Sequence, residues 1–193
     1  MRTLLRTLSL VALTLTAVGC RSSRGSERIA DELLDTTVYT KVGMHFDTQR
    51  GRYVMYSTNY IGVPIFLPPG TQLQLTKKGR KGFTLMDGED IEHVITWEPR
   101  HSMMSMDKWY DMHFSATPVP LPEGLTEQER DAIAEGVAEV GMSREAVFLA
   151  LGYPPKSNNP SLRAKSLKYE ARRFFARRLT FNDEGMVTKI SRR

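Results

Sequence analysis

The sequence predicts an α+β protein: a small N-terminal β-barrel-like domain, then a helical hairpin packed on a three-stranded antiparallel sheet. Three features predict it. Between residues 36 and 97, five short runs rich in β-branched and aromatic residues are separated by turn-forming clusters. Thr126-Glu127-Gln128-Glu129 opens a helical pattern with a capping box, in which threonine and glutamate each satisfy a free donor at the helix start. Near the carboxyl end, two strand-like runs meet at Asp183-Glu184-Gly185, a tight turn whose glycine takes the positive φ.

The β-rich runs are Val38–Val42, Tyr53–Ser57, Thr71–Leu75, Phe83–Leu85 and Val94–Trp97. Gln49-Arg50-Gly51, Pro68-Pro69-Gly70, Lys78-Gly79-Arg80 and Asp87-Gly88 supply the turns between them. Short strands at this spacing point to a closed or half-closed barrel. Before them, residues 21–26 are small and polar, a tether, and Ile29, Leu33 and Leu34 mark one side of a brief helix over 27–35. After them, Met103, Met104, Met106, Trp109, Tyr110, Met112 and Phe114 form a methionine-aromatic segment. Trp109, Met112 and Phe114 are placed on one helical face, as a core plug in preference to an adaptable partner surface. Pro118, Pro120 and Pro122 then hold the backbone extended as a linker.

A helix is expected from Glu127 to about Glu139, with Ile133, Gly136, Val137 and Val140 continuing the helical spacing. Gly141 breaks it. A second, two-turn helix follows, capped by Ser143, carrying Ala146, Val147, Ala150 and Leu151 on one face, and stopped by Gly152 and Pro154. So short a helix is unstable alone and must pack on its neighbours. Strands are expected near 166–172, 176–182 and 186–190.

Gly141-Met142-Ser143, Val147 and Leu151-Gly152-Tyr153-Pro154 are followed by Tyr169 and by Phe181-Asn182-Asp183-Glu184-Gly185-Met186-Val187. This order resembles the SmpA/OmlA (BamE-like) lipoprotein family over residues from about 126 to 191. The resemblance implies a fold of the β-lactamase-inhibitor-protein type, two short helices on a small antiparallel sheet. The chain departs from that family where Leu167-Lys168-Tyr169 stands for its Trp-x-Tyr, and in its long upstream region. Leu67-Pro68-Pro69-Gly70-Thr71 resembles the bacterial SH3-like domains, which makes the N-terminal barrel SH3-like by the same kind of implication.

The amino terminus carries a second resemblance. Arg2 and Arg6 precede an apolar run over Leu8–Leu15 that is too short for a permanent membrane span. Ala17-Val18-Gly19-Cys20 then places small residues before the one cysteine of the chain, as in a bacterial lipobox. The resemblance implies cleavage after Gly19 and acylation of Cys20; an ordinary secretory signal or a short anchor is the alternative. Arg21, in place of aspartate, implies the outer membrane by similarity to other lipoproteins. The expected layout is a signal peptide over 1–19, tether and short helix over 20–35, the β domain over 36–97, the methionine-aromatic segment and linker over 98–125, and the BamE-like domain over 126–193.

One cysteine permits no internal disulfide. Loss of Arg2 and Arg6 with the signal lowers the net charge from +5 to +3, a mild basic excess. His45, His93, His101 and His113 show no metal-ligand spacing, and no serine sits in a nucleophile elbow. Asp87, Glu89, Asp90 and Glu92 read as a solvated acidic turn. No enzyme, cofactor or metal is therefore expected. Arg172-Arg173-Phe174-Phe175-Ala176-Arg177-Arg178 places aromatics between arginines, a candidate membrane or partner surface. The alternative is a charged hairpin with its phenylalanines in the core. The same composition suits single-stranded nucleic acid, which export removes as a partner.

The expected function is that of a non-enzymatic outer-membrane lipoprotein, anchored through Cys20 and facing the periplasm. It would scaffold an envelope protein partner, with support of β-barrel assembly as the family resemblance's implication and anionic lipid as a further contact. The alternative is a module that binds or inhibits an envelope hydrolase or a cell-wall component.

Overall fold

The computed structural model describes residues 29–171 and 175–192. Among them, β1 (Thr37–Thr40), β2 (Met44–Gln49), β3 (Arg52–Tyr56), β4 (Ile65–Leu67), β5 (Gln72–Gly79), β6 (Gly82–Met86), β7 (Glu92–Thr96) and β8 (Phe114–Ser115) form one sheet. Its order is β4-β2-β3-β7-β6-β5-β1-β8. A second sheet, ordered β11-β10-β9, contains β9 (Ser166–Ala171), β10 (Phe175–Phe181) and β11 (Val187–Arg192). The helices are short: α1 (Pro99–Ser102), α2 (Met106–His113), α3 (Glu127–Glu135) and α4 (Arg144–Leu151).

The expected SH3-like barrel followed by a helical hairpin on three strands is corrected by this arrangement. The chain is mostly β, with an eight-stranded mixed sheet in place of a five-stranded barrel. Three strands were not anticipated. In β2, Met44 and Phe46 alternate with His45 and Asp47, and the histidine hides the period; β4 and β8 are too short to carry one. Insertion of β2 beside β3 leaves β3 to run parallel to β7, pairing Val54 with Val94 and Tyr56 with Thr96. A parallel neighbour requires a long crossover, here the chain through β4, β5 and β6, and a simple meander cannot provide it. The sheet curls so that Val38, Phe46, Leu75, Phe83 and Ile95 share one core, closed by Met106, Trp109 and Tyr110 of α2.

The helices are briefer than their periodicity implies. Gly136, at φ 67°, stops α3 four residues before the predicted end. The capping box forms as expected, and Glu129 does more. One carboxylate oxygen accepts from Thr126 N–H at 3.0 Å, and the other from Ser143 N–H at 2.8 Å. One side chain thus satisfies free donors at the starts of both α3 and α4. Burial pushes the Glu129 carboxyl up, but these hydrogen bonds outweigh it and hold it below the usual range. The face of α2 also differs from expectation: Met106, Trp109, Tyr110 and His113 are buried, while Phe114 belongs to β8.

A second core collects Ile133, Met142, Ala146, Val147, Ala150, Leu151, Leu167, Tyr169, Leu179 and Phe181. Ile61, from the loop after β3, is part of it. The larger sheet also caps α4. Gly43 N–H donates to Leu149 O at 2.7 Å, His45 Nε2 donates to Ala150 O at 3.3 Å, and Asn59 Nδ2 donates to Leu151 O at 2.6 Å. The last carbonyls of a helix have no intrahelical partner, and the first sheet supplies three. Ile61 N–H adds a bond to Glu170 O at 2.8 Å, beside a parallel bridge from Ile61 to Ala171. The two sheets are joined through the end of one helix.

Candidate functional site

The same alternation that buries Met44 and Phe46 sends His45, Asp47 and Gln49 to the opposite face of β2. Val54 and Tyr56 lie on that face of β3, opposite the buried Met55. Together they floor an open groove of about 850 Å³. The loop after β3 forms one wall. Asn59 takes a left-handed φ of 52° and returns its N–H to Tyr56 O at 2.8 Å, so the chain turns sharply and brings Tyr60 beside Tyr56. Their rings meet edge to face with centroids 5.9 Å apart. Helix α1 forms the other wall. Ser57 Oγ accepts from Glu98 N–H at 2.8 Å and lies 2.8 Å from Ser102 Oγ, fixing Glu98 and His101 on the rim. A second hollow of about 820 Å³ shares Gln49, Val54 and Tyr56 with the first and extends over Arg50, Arg52, Val94 and Thr96.

Two features of the groove point to a ligand. Thr58, which lines it, is only 3% exposed, and its hydroxyl has no hydrogen-bond partner among the described residues. A buried, unpaired hydroxyl costs roughly 1–3 kcal/mol, which a suitable guest offsets. The first hollow is also lined by two carboxylates, Asp47 and Glu98, and, among the described residues, by no lysine or arginine.

The chain matches no protein-family model, no curated protein and no solved structure. Its chemistry is therefore read from its own residues.

The histidines are dispersed. His45 sits in the seam between the sheets, where burial, opposed by its bond to Ala150 O and aided by the charge of Arg177, lowers its pKa to about 4. His113 stacks on Trp109 at 3.7 Å and donates from Nδ1 to Trp109 O at 2.7 Å. Burial dominates there too and lowers its pKa to about 4. His93 is bonded to Asp87 at 2.9 Å, and Asp87 also accepts from Glu89 and Ile91 N–H. The acidic turn is thus anchored by Asp87 to a buried histidine. His101 lies on the groove rim. Among the described residues no three potential ligands gather as for a metal ion.

Of the residues singled out in the sequence, Cys20, Arg172, Arg173 and Phe174 lie outside the described residues. Phe175 is 64% exposed at the start of β10. Arg177 and Arg178 are half-buried and point to opposite sides of the sheet: Arg177 shares a face with Phe175 and Leu179, and Arg178 shares one with Ala176. Arg178 lies 3.4 Å from Ser166 Oγ. Arg177 stands opposite Arg192 in the β10–β11 register, and neither forms an ion pair among the described residues. Of the run, only Phe175, Ala176, Arg177 and Arg178 are described, and these lie on both faces of β10. Sequence reading missed the groove. The one signal in the sequence was the closely spaced pair Tyr56 and Tyr60.

Proposed function

We propose that this chain is a non-enzymatic lipoprotein, acylated at Cys20, held on the outer membrane and facing the periplasm as a scaffold. The lipobox-like Ala17-Val18-Gly19-Cys20 motivates the anchor, and the resemblance of residues 141–154 to SmpA/OmlA (BamE-like) lipoproteins motivates an envelope-assembly role. The observation that carries the scaffold reading is the exposure of Phe175 near the Arg177–Arg192 cross-strand pair, which has no ion-pair partner among the described residues. Two like charges opposite each other in a ladder are unfavourable alone. They become favourable against an anionic surface, where each contributes about 1 kcal/mol, and an exposed ring gains by leaving water.

The test uses the full chain carrying Cys20→Ala, so that acyl chains do not mask weak contacts, with vesicles containing anionic lipid. Binding is expected at low salt and is expected to weaken as salt rises. Adding Phe175→Ser and Arg177→Gln should reduce low-salt affinity about tenfold, the loss of one basic contact and part of one apolar side chain. Unchanged affinity would remove the membrane contact from the proposal.

The second reading, a module that captures a cell-wall component or an envelope hydrolase, is favoured by the groove over β2 and β3.

A further inference from the structure

We infer that the groove on the outer face of β2 and β3 binds a polyhydroxylated pyranose chain, a glycan without phosphate. The inference rests on the second reading above and names the ligand class for it.

The lining selects this chemistry by elimination and by fit. A phosphorylated or nucleic-acid ligand needs cations, and among the described residues the first hollow offers Asp47 and Glu98 with no lysine or arginine. A lipid needs a continuous apolar wall, whereas Asp47 and Gln49 interrupt this floor. A sugar ring presents an apolar C–H face and a rim of hydroxyls. Tyr56 and Tyr60, edge to face at 5.9 Å, offer two ring surfaces at different angles for the C–H faces. Asp47, Gln49 and Glu98 supply acceptors, and a hydroxyl is the donor that suits a carboxylate without bringing charge. Thr58 completes the set: it is a lining residue whose hydroxyl lacks a partner among the described residues and can donate or accept.

The shape fits a chain better than a single ring. The two hollows, of about 850 and 820 Å³, share Gln49, Val54 and Tyr56, so the groove continues across the sheet from β2 toward β7. Each falls within the roughly 300–1,000 Å³ of ordinary small-molecule sites. Both are open, as a polymer threading across the face requires. The second hollow is lined by Arg50 and Arg52. Arg52 is paired with Glu92 at 3.2 Å, and an anionic ligand is excluded by the first hollow alone.

The experiment titrates the detergent-solubilised full chain with a soluble β-1,4-linked N-acetylglucosamine tetramer by calorimetry, and sediments it with insoluble peptidoglycan. Saturable binding of the tetramer at one site is expected, weakened at least tenfold by Tyr56→Ala and by Asp47→Asn. Phe175→Ser should change it less than twofold. Asp47 is exposed, so Asp47→Asn reports on the groove even where Tyr56→Ala disturbs folding. Tetramer binding that both groove variants leave intact would overturn the inference. So would capture of an oligolysine peptide with no response to the tetramer, which assigns the groove to a basic peptide. Sedimentation with peptidoglycan without tetramer binding overturns the glycan assignment and leaves the wall-capture reading standing. If neither probe binds, both fall.

Discussion

Gly43→Ala is expected to destabilise the protein by about 3 kcal/mol or more, the scale of an overpacked core position together with a lost buried hydrogen bond. A Cβ built on Gly43 would overlap Ala150 O, and it would stand 2.7 Å from the Phe66 ring and 2.8 Å from Leu149 O. Two of these neighbours are backbone oxygens at the end of α4, which cannot rotate away. Gly43 cannot retreat either, because its N–H holds Leu149 O at 2.7 Å. Any relief therefore opens the seam and strips the carbonyls of α4 of their partners, with Asn59 and His45 losing theirs in turn. Gly88→Ala is the matched control: nothing lies within 4 Å of its Cβ, and the change should be within about 0.5 kcal/mol. Urea unfolding of the two variants decides the matter. A Gly43→Ala protein as stable as Gly88→Ala would mean that the seam does not hold the two sheets together.

Stability is expected to fall steeply as pH drops from 6.5 to 4. His45 and His113 both fold with pKa values lowered from 6.5 to about 4, chiefly by burial. The sign follows from proton binding. Between the two values the unfolded chain protonates each imidazole and the folded chain does not, so acid favours unfolding. Each pH unit inside the window is equivalent to up to 1.36 kcal/mol per group, so the two histidines together remove about 4 kcal/mol by pH 5. Above 6.5 their contribution is constant. Asp87, Asp107 and Glu129 fold with depressed pKa values and act in the same direction, but lower, as pH falls through the carboxylate range. The free energy of urea unfolding measured at successive pH values should slope upward from pH 4 to 6.5 and then flatten. Replacing His113 by leucine should remove about half the slope. A flat profile between 5 and 6.5 would contradict the burial of these two rings.

Local signals in this sequence were legible where one residue type has one geometric use. The capping box at Thr126, the Ser143 cap and the Gly185 turn could be read because each satisfies a specific orphan donor or positive φ. The architecture was not legible, because it depends on pairing between distant strands. Nothing near β3 announces that its neighbour is the parallel β7, 40 residues downstream by its register of Tyr53 with His93. The helix over 127–139 was read too long because Val137 and Val140 keep the spacing, while the left-handed Gly136 ends it. In the described part of the arginine-aromatic run, the strand sends Arg177 and Arg178 to opposite sides, which composition alone does not convey. The groove was hidden for a related reason: its residues come from β2, the loop after β3 and α1, and only the fold assembles them.

The lipid tether proposed at Cys20 underlies the scaffold reading, and mass spectrometry of the amino terminus of the exported chain tests it most directly. A chain beginning at Cys20 and carrying the mass of a diacylglyceryl group with an added acyl chain is the expected result. An exported chain whose Cys20 is unmodified, or whose first residue is any other, would contradict it.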